Sequence, residues 1–467
     1  MSSPEPASVT SSAPLPPITP AAGQTEQITA QQWKWSALAG MASYLDAGSI
    51  VALGSGLALL GLRFPGLEHA PSWMPQTLFG LPVKLTGILG AIGPNALGCA
   101  IGAYFGGWLG DKLGRKFIYQ YDLMVYALGV LCITLAQNLA MLFIGTFVVG
   151  LAVGIDVPTS LALVGELAPA RARGKLLGFT QTAWSLGPII VYILAAALAP
   201  LESLNLPRWM TPLSIRIVFL HLFVVAIVTW ALRRGLVESA RWKTAKEASR
   251  KNSEARQKIR VSALFNGAHL RALVWTATIY LFWNLCAGTK GQFDPYILSK
   301  LQVGGQTVTV LLSSANFIMV LLVTIFVFMR YADHSFKTRK ALWAIGAITQ
   351  ICAYAIFLVF KMNPVTALLN IALFGGGSAL AGEAFYKVFS QELFPTMLRG
   401  TAQGFTFGLA RTILAFWSFF VPMLATVGIK PLAAILCGFL VISGVTGYFF
   451  MPDTSGKTLE QIEAERA

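Results

Sequence analysis

Runs of about twenty apolar residues recur along the whole of this 467-residue chain. Each is long enough to cross ~30 Å of hydrocarbon as a helix, and in lipid a helix satisfies its own backbone polar groups. Charge, Pro and Gly mark off twelve such runs, near residues 34–61, 84–110, 117–136, 140–165, 175–199, 213–233, 269–297, 306–331, 339–361, 365–391, 400–426 and 430–451. They are numbered here as helices 1 to 12. The fold class that follows is an all-α membrane protein, with twelve transmembrane helices in two pseudo-symmetric six-helix bundles. The composition agrees: 12% of residues are charged, against about 25% in soluble domains.

The net charge is +15. The basic residues sit in short segments between apolar runs, not in a stripe with exposed aromatics, so nucleic acid is excluded as a partner. They gather after helices 2, 4, 6, 8 and 10, with ten Lys or Arg from Arg233 to Arg260 alone. The positive-inside rule then puts both termini in the cytoplasm. Residues 1–32, rich in Pro, Ser, Ala and Thr, read as a disordered cytoplasmic tail. Residues 33–233 form an N-terminal bundle, 234–268 a basic linker, 269–451 a C-terminal bundle and 452–467 a cytoplasmic tail. Cys99, Cys132, Cys286, Cys352 and Cys437 all lie in apolar runs without a CxxC pair and read as core-filling residues. No cofactor or metal site is indicated, and no nucleophile–base set points to an enzyme.

The two bundles repeat each other. "GELAPARARG" from Gly165 and "QELFPTMLRG" from Gln391 both read Glu-Leu-x-Pro followed by Arg-Gly. "GDKLGRK" (Gly110–Lys116) after helix 2 matches "DHSFKTRK" (Asp333–Lys340) after helix 8. Two correlated repeats at nearly one offset indicate an internal duplication, which in membrane proteins places a site between the halves.

At these residues the chain resembles the major facilitator superfamily. "GGWLGDKLGRK" (Gly106–Lys116) is similar to its signature between helices 2 and 3, and the two Glu-Leu-x-Pro segments resemble the sugar-porter branch and its organic-ion-transporter relatives. "VESARW" (Val237–Trp242) and "MPDTSGKTLEQIE" (Met451–Glu463) resemble the segments that follow helices 6 and 12 in those proteins. The resemblance implies a secondary transporter working by alternating access. It also implies gating roles for Asp111, Arg115, Glu166, Arg173, Glu238, Arg241, Glu392 and Arg399. Such charges pair across helix ends when the cytoplasmic side is shut and hydrate when it opens. Their alternative role is topological, as positive-inside anchors and helix caps.

Ionisable residues inside the helices cost at least ~2.5–3.5 kcal/mol each and need a partner or a wet cavity. Lys290 and Asp294, and Glu383 and Lys387, are four apart and can pair on one helix face. Asp46 and Arg411 have no opposite charge within a turn of their own helices. "YLDAGSIVA" around Asp46 resembles the proton-carrying aspartate segment of sugar porters, and a carboxyl taken out of water favours its neutral form. Thr146 stands where those proteins commonly have the arginine partner. Asp156 and Glu383 are further candidates for proton coupling.

Lys290, Lys387 and Arg411 occupy positions that are neutral in sugar porters, and a positively charged cavity selects anions. Arg411 has a fork that fits a carboxylate. Gln181 and Trp184, with Asn284, complete the candidate substrate site. The reading is proton-coupled uptake of a small organic anion, such as a sugar acid, aromatic acid or other carboxylate. The alternatives are a proton-coupled sugar or polyol symporter and, against Arg411, a drug or cation exporter. The expected partners are the small-molecule substrate, protons and the bilayer. The expected unit is a monomer in a bacterial inner membrane.

Overall fold

The computed structural model describes residues 28–465 apart from 70, 71, 73, 79, 80, 95, 205, 236, 237, 252–260 and 301–304. Twelve helical spans are long and apolar enough to cross a membrane: α1 (Ala30–Leu57), α2 (Leu85–Leu113), α3 (Arg115–Thr134), α4 (Leu139–Leu167), α5 (Ala170–Ser203), α6 (Leu213–Arg233), α7 (Gly267–Pro295), α8 (Thr307–Tyr331), α9 (Phe336–Val359), α10 (Pro364–Glu392), α11 (Arg399–Val427) and α12 (Ile429–Phe449). All twelve coincide with the apolar runs to within a few residues. A two-stranded ladder of Thr77–Leu78 with Leu81–Pro82 is the one β element among the described residues.

The first helix starts earlier than expected. Thr29 accepts from Gln32 N, and the Gln32 side chain accepts from Thr29 N, closing a capping box. These reciprocal bonds satisfy two otherwise orphaned donors and fix the helix start. The expected disordered tail of residues 1–32 is therefore shortened at its end; residues 1–27 lie outside the described set. Within the expected linker the basic stretch forms a helix, Ala240–Lys251. After α12 a short helix, Leu459–Ala464, begins at another capping box, on Thr458. Cys99 and Cys286 are buried as expected of core-filling residues, whereas Cys352 is exposed on the outer wall.

Helix packing repeats with a shift of six. The pairs α1·α5, α1·α6, α2·α4, α3·α4 and α3·α6 in the first half recur as α7·α11, α7·α12, α8·α10, α9·α10 and α9·α12 in the second. Between the halves, α2 packs on α11 and α5 on α8, again a symmetric pair, and α1 meets α7 across the axis. The duplication read from the two charged repeats is thus a duplication of the packing.

The halves touch at both ends. A Cβ on Gly107 would run into the Gly400 carbonyl, and one on Gly404 into the Ala103 carbonyl. Glycine here lets α2 and α11 approach backbone to backbone. At the other end Gly54 lies against the Gln292 carbonyl and Gly87 against Phe419. The space between the halves is closed from both sides. Two spans are discontinuous: α2 breaks between Ile92 and Leu97, and α10 between Leu380 and Glu383. The second break makes Glu383 the first residue of a new helical piece, deep between the halves. Broken helices at mid-membrane are tolerated where the irregular backbone is enclosed by protein, and they mark binding sites in transporters.

Candidate functional site

Both described chain ends, the helix of the linker and both charged repeats lie at one end of the bundle, the terminal end. Its mouth is shut by a lattice of buried charges. Glu166 of α4 meets Arg115 of its own half at 2.9 Å and Arg399 of the other half at 3.5 Å. Glu392 of α10 meets Arg339 of its own half at 2.9 Å and Arg173 of the other at 3.0 Å. Each carboxylate thus holds one arginine from each half, and the two sets are related by the repeat. Asp111 accepts from Gly400 N at 3.1 Å, Thr401 N at 2.6 Å and Thr401 Oγ1 at 2.7 Å, and pairs with Arg115 at 2.8 Å. Its counterpart Asp333 accepts from Gly174 N at 3.0 Å and Lys175 N at 2.9 Å. Each aspartate sits on the first turn of a helix of the other half, where the orphan N–H groups and the helix dipole favour an anion. Burial pushes the Asp333 carboxyl above its ordinary value, with Arg339 pulling the other way.

The remaining predicted gate residues act around this lattice. Glu238 accepts from the backbone N–H groups of Arg115 and Lys116 at 3.1 Å each and so caps α3 after Gly114, whose φ of 111° suits glycine. Arg241 meets Glu460 at 3.5 Å in an exposed pair that ties the linker to the C-terminal segment.

Behind the shut mouth lies a contracted cavity of about 10 Å³, lined by Ile50, Trp184, Trp283, Asn284, Phe317 and Arg411 among others. That is about the space of one water. Asp46 is buried beside it and accepts from Trp184 Nε1 at 3.2 Å; its charged neighbours are Arg411, Glu383 and Lys387. The Lys387 ammonium donates to Gln181 Oε1 at 2.7 Å and pairs with Glu383 at 3.6 Å. The Arg411 guanidinium lies 4.7 Å from the Phe407 ring centroid. Asn284 Nδ2 donates to the Tyr280 hydroxyl at 3.4 Å, and Tyr280 stacks on Tyr386 at 3.9 Å. Asp46, Gln181 and Trp184 come from the first half and Asn284, Glu383, Lys387 and Arg411 from the second, so both halves build the site.

Two predicted residues lie elsewhere. Lys290 donates to Asp294 at 3.1 Å and to Asn370 Oδ1 at 2.8 Å, away from the cavity walls. Its charge is consumed on its own helix face and against α10, so the positive excess expected from three basic residues reduces to two. Asp156 meets Arg233 at 3.2 Å inside the first half, outside the central cavity.

The sequence reading passes over Asp333 and Arg339, although both stand in the repeat "DHSFKTRK". Their spacing of six, against four for Asp111 and Arg115, hides the correspondence. Asp122, a lone carboxylate inside an apolar run, carries the same signal as Asp156. Trp283 and Phe317 carry none, because aromatics in apolar runs face lipid and cavity alike.

A family model described as Sugar (and other) transporter matches residues 87–465. The chain belongs to that family, a branch of the major facilitator superfamily. It is 36% identical over 433 residues to the minor myo-inositol transporter IolF of Bacillus subtilis (strain 168), covering 91% of this chain and 92% of that one. It is 26% identical over 392 residues to the probable 4-methylmuconolactone transporter of Cupriavidus pinatubonensis, covering 82% and 85%. In fold it is similar to the ligand-bound proton:xylose symporter XylE, with a TM-score of 0.75 at 19% identity, covering 93% of this chain and 99% of that one. This family member is a transporter and not an enzyme.

Its lattice predicts unequal costs for its arginines. Arg339→Ala leaves Glu392 with one guanidinium and should lower stability by about 3–5 kcal/mol, the cost of breaking a buried pair. Arg241→Ala removes an exposed pair and should cost under ~1 kcal/mol. Thermal unfolding of the two variants in one detergent checks this; equal shifts would contradict the lattice.

Proposed function

We propose that this chain is a proton-coupled, alternating-access importer of a small polyhydroxylated compound, a cyclitol or monosaccharide. It works as a monomer, since one chain supplies both walls of the cavity. It sits in a bacterial cytoplasmic membrane with the terminal end inside the cell, where its Lys and Arg residues concentrate.

The observation that carries this reading is the lining of the site, which combines hydrogen-bonding groups with aromatic faces. Asp46 and Glu383 oppose Lys387 and Arg411, so the charges offset one another while Asp46 is ionised. Gln181, Asn284 and the ionic groups supply donors and acceptors for hydroxyls, and Trp184, Trp283 and Phe317 supply apolar faces for a ring. The similarity to the inositol transporter supports the same class. Asp46 is the coupling carboxyl: it is buried, one of its oxygens accepts no hydrogen bond among the described residues, and Arg411 is among the charges it feels. Protonating it removes a negative charge that acts on Arg411 and strengthens what that guanidinium offers the ligand, and ligand binding in turn favours the protonated state by linkage.

In proteoliposomes loaded by an inward proton gradient, wild-type protein should accumulate labelled myo-inositol. Asp46→Asn should abolish accumulation, at least ~10-fold, while keeping exchange of internal for external inositol. Undiminished accumulation by the variant would refute the assignment.

The second reading is uptake of a small organic acid. Its support is that protonated Asp46 leaves Glu383 alone against Lys387 and Arg411, a net +1 that fits a carboxylate. The similarity to the methylmuconolactone transporter points the same way. Competition decides between them. Neutral cyclitols should displace inositol at concentrations at least ~10-fold below those of sugar acids or muconate; the reverse order, lost in Arg411→Ala, would favour the acid.

A further inference from the structure

Inside the first half, remote from the central cavity, a single guanidinium faces two carboxylates. Arg233, the last residue of α6, reaches Asp122 of α3 at 3.3 Å and Asp156 of α4 at 3.2 Å. It also donates to the Leu38 carbonyl of α1, from Nη2 at 3.0 Å and Nε at 3.3 Å, and its guanidinium carbon lies 4.3 Å from the Tyr119 ring centroid. All three charged residues are buried, at 3–4% exposure. The same guanidinium nitrogen, Nη1, reaches both carboxyl groups, which brings them together around one cation, and Asp156 Oδ1 accepts from no donor among the described residues.

The arithmetic of this cluster does not close with both acids ionised. Two carboxylates and one guanidinium leave −1 in the protein interior, and an uncompensated buried charge is strongly unfavourable. Among the described residues Arg233 is the one cation in salt-bridge contact with the pair; Lys116 and Arg234 lie further out, in the cleft beside it. Of the other groups around the cluster, α1 contributes the Leu38 carbonyl and α3 Tyr119 and Tyr126, none of them cationic. Two carboxyls sharing one proton solve the imbalance, because the second ionisation is resisted by the first. A metal cation is disfavoured, since Arg233 already supplies a cation in contact with an oxygen of each carboxyl group.

The cluster also has an entry. A cleft of about 380 Å³ opens at the terminal end between α3 and α6, lined by Lys116, Tyr119, Trp230, Arg233 and Arg234. On its other side the pair borders a small hole lined by Ala42 and Leu45 of α1, the turn before Asp46. Arg233 thus lies between the solution at the terminal end and the helix that carries the central carboxyl.

We propose that Asp122 and Asp156 form a second proton-binding site, which holds one shared proton taken from the terminal-end solution and is separate from Asp46. Loss of that proton turns the cluster to −1 and pulls on Arg233, whose hold on the Leu38 carbonyl positions α1. The site makes the seat of α1, and with it the central site, responsive to pH at that end.

The test uses full-length protein in the Asp46→Asn background, which removes the central proton. Infrared difference spectra between acidic and alkaline pH should show a carboxylic-acid C=O band, and unfolding temperature should fall as pH rises, because the folded state binds the extra proton. Asp156→Asn or Asp122→Asn, each a neutral stand-in for the protonated acid, should abolish the band and flatten the pH profile. Should neither double variant fold, the parent spectrum can still overturn the proposal, by showing no carboxylic-acid band or one unchanged by pH. A band and pH profile that persist in the double variants would do the same.

Discussion

A carboxylate buried between two guanidinium groups is held only while both remain in reach, and losing one exposes an uncompensated charge. Glu166 and Glu392 are held in this way, each by an arginine of its own half and an arginine of the other. The closed terminal mouth depends on those cross-half contacts, together with Asp111 and Asp333 seated on helix N-termini of the opposite half. In a dry mouth the lattice is satisfied by protein alone; once the halves part, water must replace each cross-half bond. Such pairs suit a switch between a dry, paired arrangement and a hydrated, parted one, which is what alternating access requires. Symmetry matters here, because the duplicated sequence places equivalent latches on both sides of one axis.

The central site inherits its state from that closure. With both ends shut, its aromatic walls and ion pairs collapse onto a space of about one water. Lys387 spans the halves through Gln181, and Asp46 is steadied by Trp184. A substrate must enter through an opened mouth and then displace these internal contacts with its own. On the proposed mechanism, binding energy is thereby coupled to the rearrangement of groups from both halves, and a proton on Asp46 changes what Arg411 offers. The same helix, α1, is held further along by Arg233 through the Leu38 carbonyl.

The fold was almost wholly legible in the sequence, since lipid permits few alternatives to a helix for a twenty-residue apolar run. The charged segments were legible as a repeat, but which carboxylate meets which arginine across the halves was not. What sequence spacing cannot carry is direction across a helix. Lys290 and Lys387 look alike as basic residues in apolar runs, yet one is bound to Asp294 and Asn370 while the other reaches across to Gln181. That distinction leaves Lys387 and Arg411 as the basic residues at the central site. Arg339 and Asp333 were obscured by a two-residue insertion relative to their counterparts, and Trp283 and Phe317 by the uniform apolarity of membrane helices.

The account rests on the lattice holding the terminal mouth shut, and distance measurement across that mouth tests it directly. Nitroxide labels at the exposed positions Arg171 in the first half and Lys337 in the second report the separation of the halves by pulsed electron resonance. The protein should show one short, narrow distance, and Glu392→Gln, which weakens the hold on Arg173 and Arg339, should add a longer population. An unchanged distribution in the variant would mean that the charges do not hold the mouth, and the account would fail.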